Sequence, residues 1–449
     1  MNGSTARQFP FGNAVADRPE EQMAKIVRPA DLENIAEPRV AVLTAGRDKH
    51  YSMDLARALI AAGENFDFIC GDEMDEPSLR DDPHINVFNL RGDQSTGAPM
   101  KTKIMRVLTY YWRLIRYAAT AQPKIFHILW NNKFEWFDRT LLMLYYRAMG
   151  KRIVLTAHNI NAGERDSTDS FSNRLTLKIQ YRLCDNILVH TNKMKTELIS
   201  EFGVSEKCVT VIPFGINRTV PQTGLTRTQA RRQLGLRDND KTLLFFGNIA
   251  PYKGLDNLIF AFKQLIKNDA NYRLIIAGRP KGPENYWKQL QQKIAGSGAA
   301  DHILRHIEYI ADDQIELFFK AADVLVLPYV HIFQSGVLFL GYSFGLPVIA
   351  TDVGSFREEI IEGKTGMICE VSTAALKKTI QDYFESELFR NLEKWRNEIQ
   401  SYASERYSWS KVATITTGVY AEVLKPKQIE PVSKKSPGLE NEMNSVFDA

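Results

Sequence analysis

Gln334-Ser335-Gly336-Val337 is a turn of small and polar residues that runs into a helical pattern, Val337 to Phe344. The first N–H groups of a helix have no partner inside it, and the aligned peptide dipoles add positive potential there. Phosphate is the natural guest of such a turn. Ser335 and Gly336 offer backbone donors, and the side chains of Gln334 and Ser335 add others. A tight strand-to-helix connection without a ligand has the same composition, so the turn alone leaves both uses open. Gly345-Leu346-Pro347 then breaks the helix and releases a short apolar run, Val348 to Thr351.

Four other groups are candidates for chemistry. Lys253 ends the loop Gly247-Asn248-Ile249-Ala250-Pro251-Tyr252-Lys253 ahead of a helix. A lysine there is a mobile point charge able to reach a diphosphate, or else an ordinary solvated side chain. His158-Asn159 follow the apolar run Ile153 to Ala157 and therefore sit at a strand's carboxyl end, where His158 would hydrogen-bond a substrate hydroxyl or transfer a proton. Thr44-Ala45-Gly46-Arg47 is not the G-x-G-x-x-G fingerprint, yet Gly46 permits close backbone approach to a ligand and Arg47 is a candidate anion contact. Arg357-Glu358-Glu359 places carboxylates that either bond sugar hydroxyls or satisfy a helix dipole. Asp81-Asp82 and Asp312-Asp313 lie in polar stretches rather than between apolar residues, so we expect no catalytic metal.

These groups need a scaffold that carries loops at strand ends. Apolar runs recur at residues 39–46, Asn65 to Cys70, His84 to Leu90, Pro123 to Leu129, Arg152 to Thr156, Asn186 to His190 and Val209 to Ile212, with helical patterns between most of them. The alternation restarts with a helix after Thr226, its N-cap, and runs through Lys241 to Gly247, Tyr272 to Gly278, His302 to Tyr309, Val324 to Pro328, Val348 to Thr351 and Thr365 to Cys369. Strands alternating with helices imply parallel sheets covered on both faces. The spacing predicts an α/β chain of two Rossmann-like, doubly wound domains that face each other across a cleft. Ligands then sit beyond the strands' carboxyl ends.

Bulk properties agree with that plan. A chain of 449 residues exceeds one ordinary core. Hydrophobic content of 44% and charged content of 24% are those of a soluble globular protein. A net charge of +4 argues against nucleic acid as a partner. Cys70, Cys184, Cys208 and Cys369 are far apart and read as reduced core cysteines in a cytoplasmic setting. Neither an apolar signal core nor a run of 18 apolar residues occurs, so we expect no membrane span. Residues 1–38 and 425–449 are polar and aperiodic, and we expect disorder there. Residues 101–119 mix Lys101, Lys103, Arg106, Arg113 and Arg116 with tyrosines and Trp112. That composition suits contact with an anionic membrane, such as the inner face of the plasma membrane, or equally a sheet-covering helix with a basic edge.

Taken together, FFGNIAPYKGLDNLI, YRLIIAG, ADVLVLPY, QSGV, FGLPVIATDVG, EGKTGMIC and the earlier TAHN resemble glycosyltransferase family 4, whose fold is called GT-B. The resemblance covers roughly Arg39 to Leu424. It implies a retaining nucleotide-sugar glycosyltransferase with no cofactor and no metal, in which domain 39–217 takes a lipid-linked or saccharide acceptor and domain 218–406 takes the donor. Residues 407–424 would form a helix crossing back to the first domain. The resemblance further implies that Lys253 binds the donor diphosphate, that amides at Ser335, Gly336 and Val337 bind its phosphates, and that His158 contacts the donor sugar. Gly46 would lie beneath the distal phosphate, with Tyr309 and Ile310 by the base. The chain departs from the family pattern where Asn248 stands in place of an arginine, and where Ile332 and Leu340 stand in place of two glutamates. Gln334 is the candidate to replace part of the lost polar contact.

The reaction implied is transfer of a hexose in polysaccharide or glycoconjugate synthesis. No sequence motif presents a carboxylate as nucleophile, and front-face attack is what the resemblance implies. Two alternatives stay open: a non-catalytic subunit of the same fold that supports another transferase, and an inverting transferase or sugar-nucleotide epimerase.

Overall fold

The computed structural model describes residues 39–426 apart from 96, 133, 166, 167, 296 and 297. Of the two segments expected to be disordered, 1–38 and 427–449 lie outside the described residues.

The first unit holds β1 (Val40–Leu43), β2 (Phe66–Cys70), β3 (Ile85–Asn89), β4 (Ile125–Ile128), β5 (Arg152–Thr156), β6 (Asn186–Val189) and β7 (Val209–Val211). They form one parallel sheet in the order β3-β2-β1-β4-β5-β6-β7. Its helices are α1 (Lys49–Ala61), α2 (Pro77–Arg80), α3 (Met100–Thr120), α4 (Glu135–Phe137), α5 (Met143–Ala148), α6 (Ala162–Arg165), α7 (Phe171–Leu183) and α8 (Asn192–Phe202). A π-helical turn, Asp138–Leu142, joins α4 to α5.

The second unit holds β8 (Lys241–Phe246), β9 (Tyr272–Ala277), β10 (Ile303–His306), β11 (Val324–Leu327), β12 (Val348–Thr351) and β13 (Gly366–Cys369), parallel in the order β10-β9-β8-β11-β12-β13. Its helices are α9 (Arg227–Gln233), α10 (Leu255–Ile266), α11 (Glu284–Ala295), α12 (Asp312–Ala321), α13 (Gly336–Ser343), α14 (Phe356–Glu359), α15 (Thr373–Glu385), α16 (Glu387–Arg390) and α17 (Leu392–Arg406); α18 (Trp409–Leu424) follows.

The strands read as near-continuous apolar runs because helices cover both faces of each sheet. All four residues of β11 are buried, as are those of β12. Strand order reverses between β1 and β4 in one sheet and between β8 and β11 in the other. Loops leaving neighbouring strands diverge at such points and open a crevice. The loop carrying Lys253 leaves β8, and the loop carrying Ser335 leaves β11.

Local chemistry fixes the entry to the second unit. Thr226 caps α9 in a capping box with Gln229. Arg231, fully buried, donates to Asp323 at 2.7 Å and to the carbonyls of Ala321, Arg237, Asp238 and Asp240. A buried pair is sustained only when its remaining donors and acceptors are satisfied in this way.

Most strands are shorter than the apolar runs read for them, and β10 is one of the shortest relative to its run. Residues 302–309 were expected to be extended throughout, but β10 stops at His306. It is an edge strand, and its partner β9 ends at Ala277, so the ladder has nothing further to pair with. Cys70, Cys184 and Cys369 are buried, whereas Cys208 is only partly so.

Trp409 donates its indole N–H to the Ile216 carbonyl at 2.8 Å, and α18 packs on α1 of the first unit. Tyr420, near the end of α18, bonds His127 Nδ1 at 2.6 Å.

Candidate active site

Two glycines bring the site's loops together. Gly254 has φ 61°, and a Cβ there would lie 1.9 Å from the Pro328 carbonyl oxygen. Gly278 has φ 145°, and a Cβ there would lie 1.9 Å from the Gly247 oxygen. Only glycine permits these approaches. The first holds the β8 loop against the end of β11; the second holds it against the end of β9. An isolated parallel bridge, Ile249 to Pro280, continues that contact, with Ile249 N donating to Arg279 O and Lys281 N to Ile249 O, both at 2.9 Å.

The result is a cavity of about 540 Å³ between the units. That is within the range of small-molecule sites. Asn248, Lys253, Gln334, Ser335, Gly336 and Val337 all line it.

Lys253 differs from the mobile charge expected. It is 7% exposed, because its stem is covered by the loop and its Nζ lies 4.5 Å over the Tyr329 ring. The Nζ donates to the Tyr329 hydroxyl at 2.7 Å, and that hydroxyl lies 3.3 Å from Ser335 Oγ. Lysine and turn are thus linked through one buried phenol. Ser335 is the N-cap of α13 in an extended conformation, and its side chain makes no capping bond. Both amide atoms of Gln334 are buried without a protein partner. Leaving them unpaired costs about 1–3 kcal/mol per group, which a bound polar ligand would recover.

Residues that sequence reasoning missed complete the wall. Lys281 reaches the cavity from the loop after β9, while Arg279 on the same loop lies over the Tyr309 ring at 5.3 Å. Asp48, His50, Tyr51 and Asp54 come from the first unit. Two of these, Asp48 and Asp54, are carboxylates that the sequence did not single out. Asp48 caps α1 by accepting from Tyr51 N at 3.1 Å. Asp54 accepts from Arg218 N at 3.3 Å, and burial pushes its carboxyl up to about 6. His50 spans the units, with Nε2 3.2 Å from Asp312 and its other nitrogen bonded to Thr219.

Five expected contacts lie elsewhere. His158 lines a separate cavity of about 120 Å³ in the first unit, though Asn159 borders both. Trp130 stacks on its ring at 4.3 Å, and His190 Nε2 approaches its Nδ1 at 3.1 Å. Burial, with the two neighbouring histidines, holds its imidazole well below the usual range. Of the two roles expected for it, hydrogen bonding to a hydroxyl is compatible with a neutral ring, and a lowered imidazole is a weaker proton acceptor. Gly46 is covered by Gln94, whose amide donates to the Gly46 oxygen at 2.7 Å. Tyr309 is 64% exposed on the rim, and Ile310 is packed into the second unit's core. Neither lines the cavity. Glu358 accepts from Asn192 N at 3.2 Å and Lys193 N at 3.1 Å, capping α8 of the opposite unit. It borders a different cavity of about 450 Å³, at the junction with α18. Of its two readings, the helix-dipole one describes this geometry, applied to a helix of the other unit.

Residues 226–406 match the family described as glycosyl transferases group 1, and residues 50–220 match glycosyltransferase family 4. A D-inositol 3-phosphate glycosyltransferase of Corynebacterium efficiens is 24% identical over 281 residues, 60% of this chain and 65% of that protein. One from Geodermatophilus obscurus is 31% identical over 41% of this chain and 42% of its own length. The matches thus span less than two thirds of these relatives. Among solved structures, sucrose-phosphate synthase of Thermosynechococcus elongatus superposes with a TM-score of 0.68 at 18% identity, covering 86% of this chain and 99% of that one. HepE of Anabaena, solved with UDP and glucose, gives 0.65 at 17% identity, covering 86% and 100%. At such identities the likeness speaks for the fold.

Proposed function

We propose, for a chain that belongs by both of its units to the glycosyltransferases of the GT-B fold, that it moves a hexose from a nucleotide diphosphate sugar to a lipid-linked or saccharide acceptor. The observation that carries this reading is the linked set Lys253, Tyr329 and Ser335 beside the unpartnered amide of Gln334. The donor diphosphate lies on the amides that open α13, with Lys253 beneath it. Charge grows on the departing diphosphate as the glycosidic bond breaks. A buried cation already in place stabilises that charge without reorganisation. Removing one such donor typically costs 10²–10³ in rate.

The acceptor hydroxyl attacks from the face that the diphosphate leaves, and a diphosphate oxygen takes its proton, so the anomeric configuration is retained. Asp48 and Asp54 each accept one backbone N–H, from Tyr51 and Arg218 respectively. The positive charge that a metal would supply comes from Lys253, with Lys281 beside it. Asn159, on the border of both cavities, faces donor and acceptor alike. The setting is the cytoplasmic face of a membrane, with α3 as the peripheral contact.

The test is a donor screen against a membrane lipid extract, with wild type beside Lys253→Ala and a chelator in parallel. Transfer that survives chelation and falls by two orders of magnitude in the variant supports the reading. Full activity in the variant removes it. Product anomeric analysis separates retention from an inverting or epimerising enzyme.

A second reading has one observation in its favour. Ile332 and Leu340 put apolar side chains into the cavity wall, where the family resemblance implies glutamates. A non-catalytic subunit would tolerate that change. Absence of nucleotide binding at millimolar concentration would favour it.

A further inference from the structure

Among the described residues, 13 of 19 exposed large apolar side chains fall between residues 100 and 175. That clustering is not the scatter normal for a soluble surface. On α3, Ile104, Leu108, Trp112 and Ile115 repeat every three or four residues and form an exposed stripe. It is distinct from the stripe of Tyr110, Tyr111, Leu114 and Tyr117 that α3 buries. The helix is thus apolar on two sides, and the fold covers only one.

The exposed stripe continues onto its neighbours. Trp136 on α4 is 59% exposed, Leu141 and Leu144 follow on the next turns, and Phe171 on α7 is 83% exposed. These elements are one block. Tyr111 stacks on Phe134 at 5.5 Å and accepts from Phe134 N at 3.0 Å; Tyr145 donates to the Ile115 carbonyl at 3.1 Å. Arg139, on the π-helical turn, donates to Asn173 of α7 at 2.8 Å.

Cations thread the same block. Helix α3 carries five lysines and arginines and no acidic residue, and α7 adds Lys178 and Arg182, its Arg174 being paired with Asp169. Arg116 lies 5.6 Å over the Trp112 ring. Aromatic rings interleaved with cations suit a headgroup layer. A second copy of the chain would set two such basic faces against each other. An anionic bilayer complements both the charge and the apolar stripe.

We propose that the face made by α3, residues 135–148 and α7 seats on an anionic lipid bilayer. This rests on the transferase reading and specifies it: the acceptor is lipid-borne and is delivered at this face. Glu135, Arg139 and Gln180 of these elements line the small cavity that also holds His158 and Asn159. A headgroup leaving the bilayer enters there, and Asn159 connects that cavity to the donor cavity.

The experiment is co-sedimentation of the full chain with phosphatidylcholine vesicles, with and without phosphatidylglycerol. Wild type should pellet with the anionic vesicles and be released by about 1 M salt, where the screening length is about 3 Å. Arg113→Glu with Arg116→Glu should weaken the partition at least about tenfold. Brominated acyl chains should quench tryptophan fluorescence, and Trp112→Phe with Trp136→Phe should lose part of that quenching. Nucleoside diphosphate affinity should be unchanged in the charge-reversed variant, which separates lost docking from a misfolded chain. If wild type binds no nucleotide, the transferase reading fails independently of the vesicle result. No pelleting, or equal pelleting with neutral and anionic vesicles, would overturn the proposal. So would a solution dimer that the charge reversal dissociates without any vesicle binding, since that assigns the face to a second copy.

Discussion

The two units share one architecture but differ in how much apolar surface they leave exposed. In the second unit, buried cations are matched inside the protein: Arg231 to Asp323 and four carbonyls, Arg396 to the carbonyls of Phe319, Ala322 and Phe344. Lys253 is held by Tyr329. In the first unit, His127 inside β4 and His158 and His190 just beyond β5 and β6 are buried, the last two with an unpartnered nitrogen, and 14 of the 19 exposed large apolar side chains among the described residues lie there. On the proposed reading, the half with preset cations holds the donor phosphates and the half with exposed apolar surface meets the acceptor.

The largest expected effect that sharpens this contrast is on pH dependence. Glu359 in the second unit is buried against the Tyr407 hydroxyl, and burial raises its carboxyl from 4.5 to about 7. A raised acid contributes stability that is complete below its unfolded pKa and is lost as pH climbs through the folded one. The loss is about 3 kcal/mol between pH 4.5 and 7. Asp54 and Asp138 of the first unit, raised from 3.8 to about 6, act in the same direction at lower pH. Burial lowers His127 to about 3 and His190 to about 4, so their contribution is present above pH 6.5 and is lost as pH falls toward those values. Relative to wild type, Glu359→Gln should gain about 3 kcal/mol of stability as pH rises from 4.5 to 7, and should leave the acid limb in place. An unchanged neutral slope would show that Glu359 is not its source.

Next in size is the second cation. Lys281→Ala should weaken nucleoside diphosphate binding by about tenfold, or about 1.4 kcal/mol, with little change for the monophosphate. Equal weakening of both would place Lys281 away from the distal phosphate. Gln334→Ala should lower donor affinity several-fold, about 1 kcal/mol, through a hydrogen bond made only with ligand. Unchanged affinity and turnover would remove Gln334 from the site. The smallest effect belongs to Glu358→Gln, which weakens a cap between the units and should lower stability by about 0.3–1 kcal/mol without altering nucleotide affinity. A marked fall in affinity would return Glu358 to the donor site.

The same contrast governs what was legible in the sequence. Both sheets were, because parallel strands buried on two faces are written as short apolar runs. The loop to Lys253 and the turn at Ser335 were legible because glycines and small residues mark where backbones meet. Tyr329 was not, although it lies at the end of β11, since its pairing with Lys253 spans 76 residues. Lys281 enters the site only through the Ile249 to Pro280 bridge. Gly46 looked open until Gln94, 48 residues away, folded over it. Glu358 revealed an N-terminal carboxylate but not which helix it serves. Periodicity reports what each segment buries locally. It carries no information on which distant side chain fills the space.

The most direct test of the account is calorimetric titration of wild type and Lys253→Ala with UDP, GDP and ADP and with the matching monophosphates. The account predicts that wild type prefers one diphosphate over its monophosphate, and that the variant loses this preference while keeping the monophosphate affinity. A variant that binds the diphosphate as tightly as wild type would contradict it.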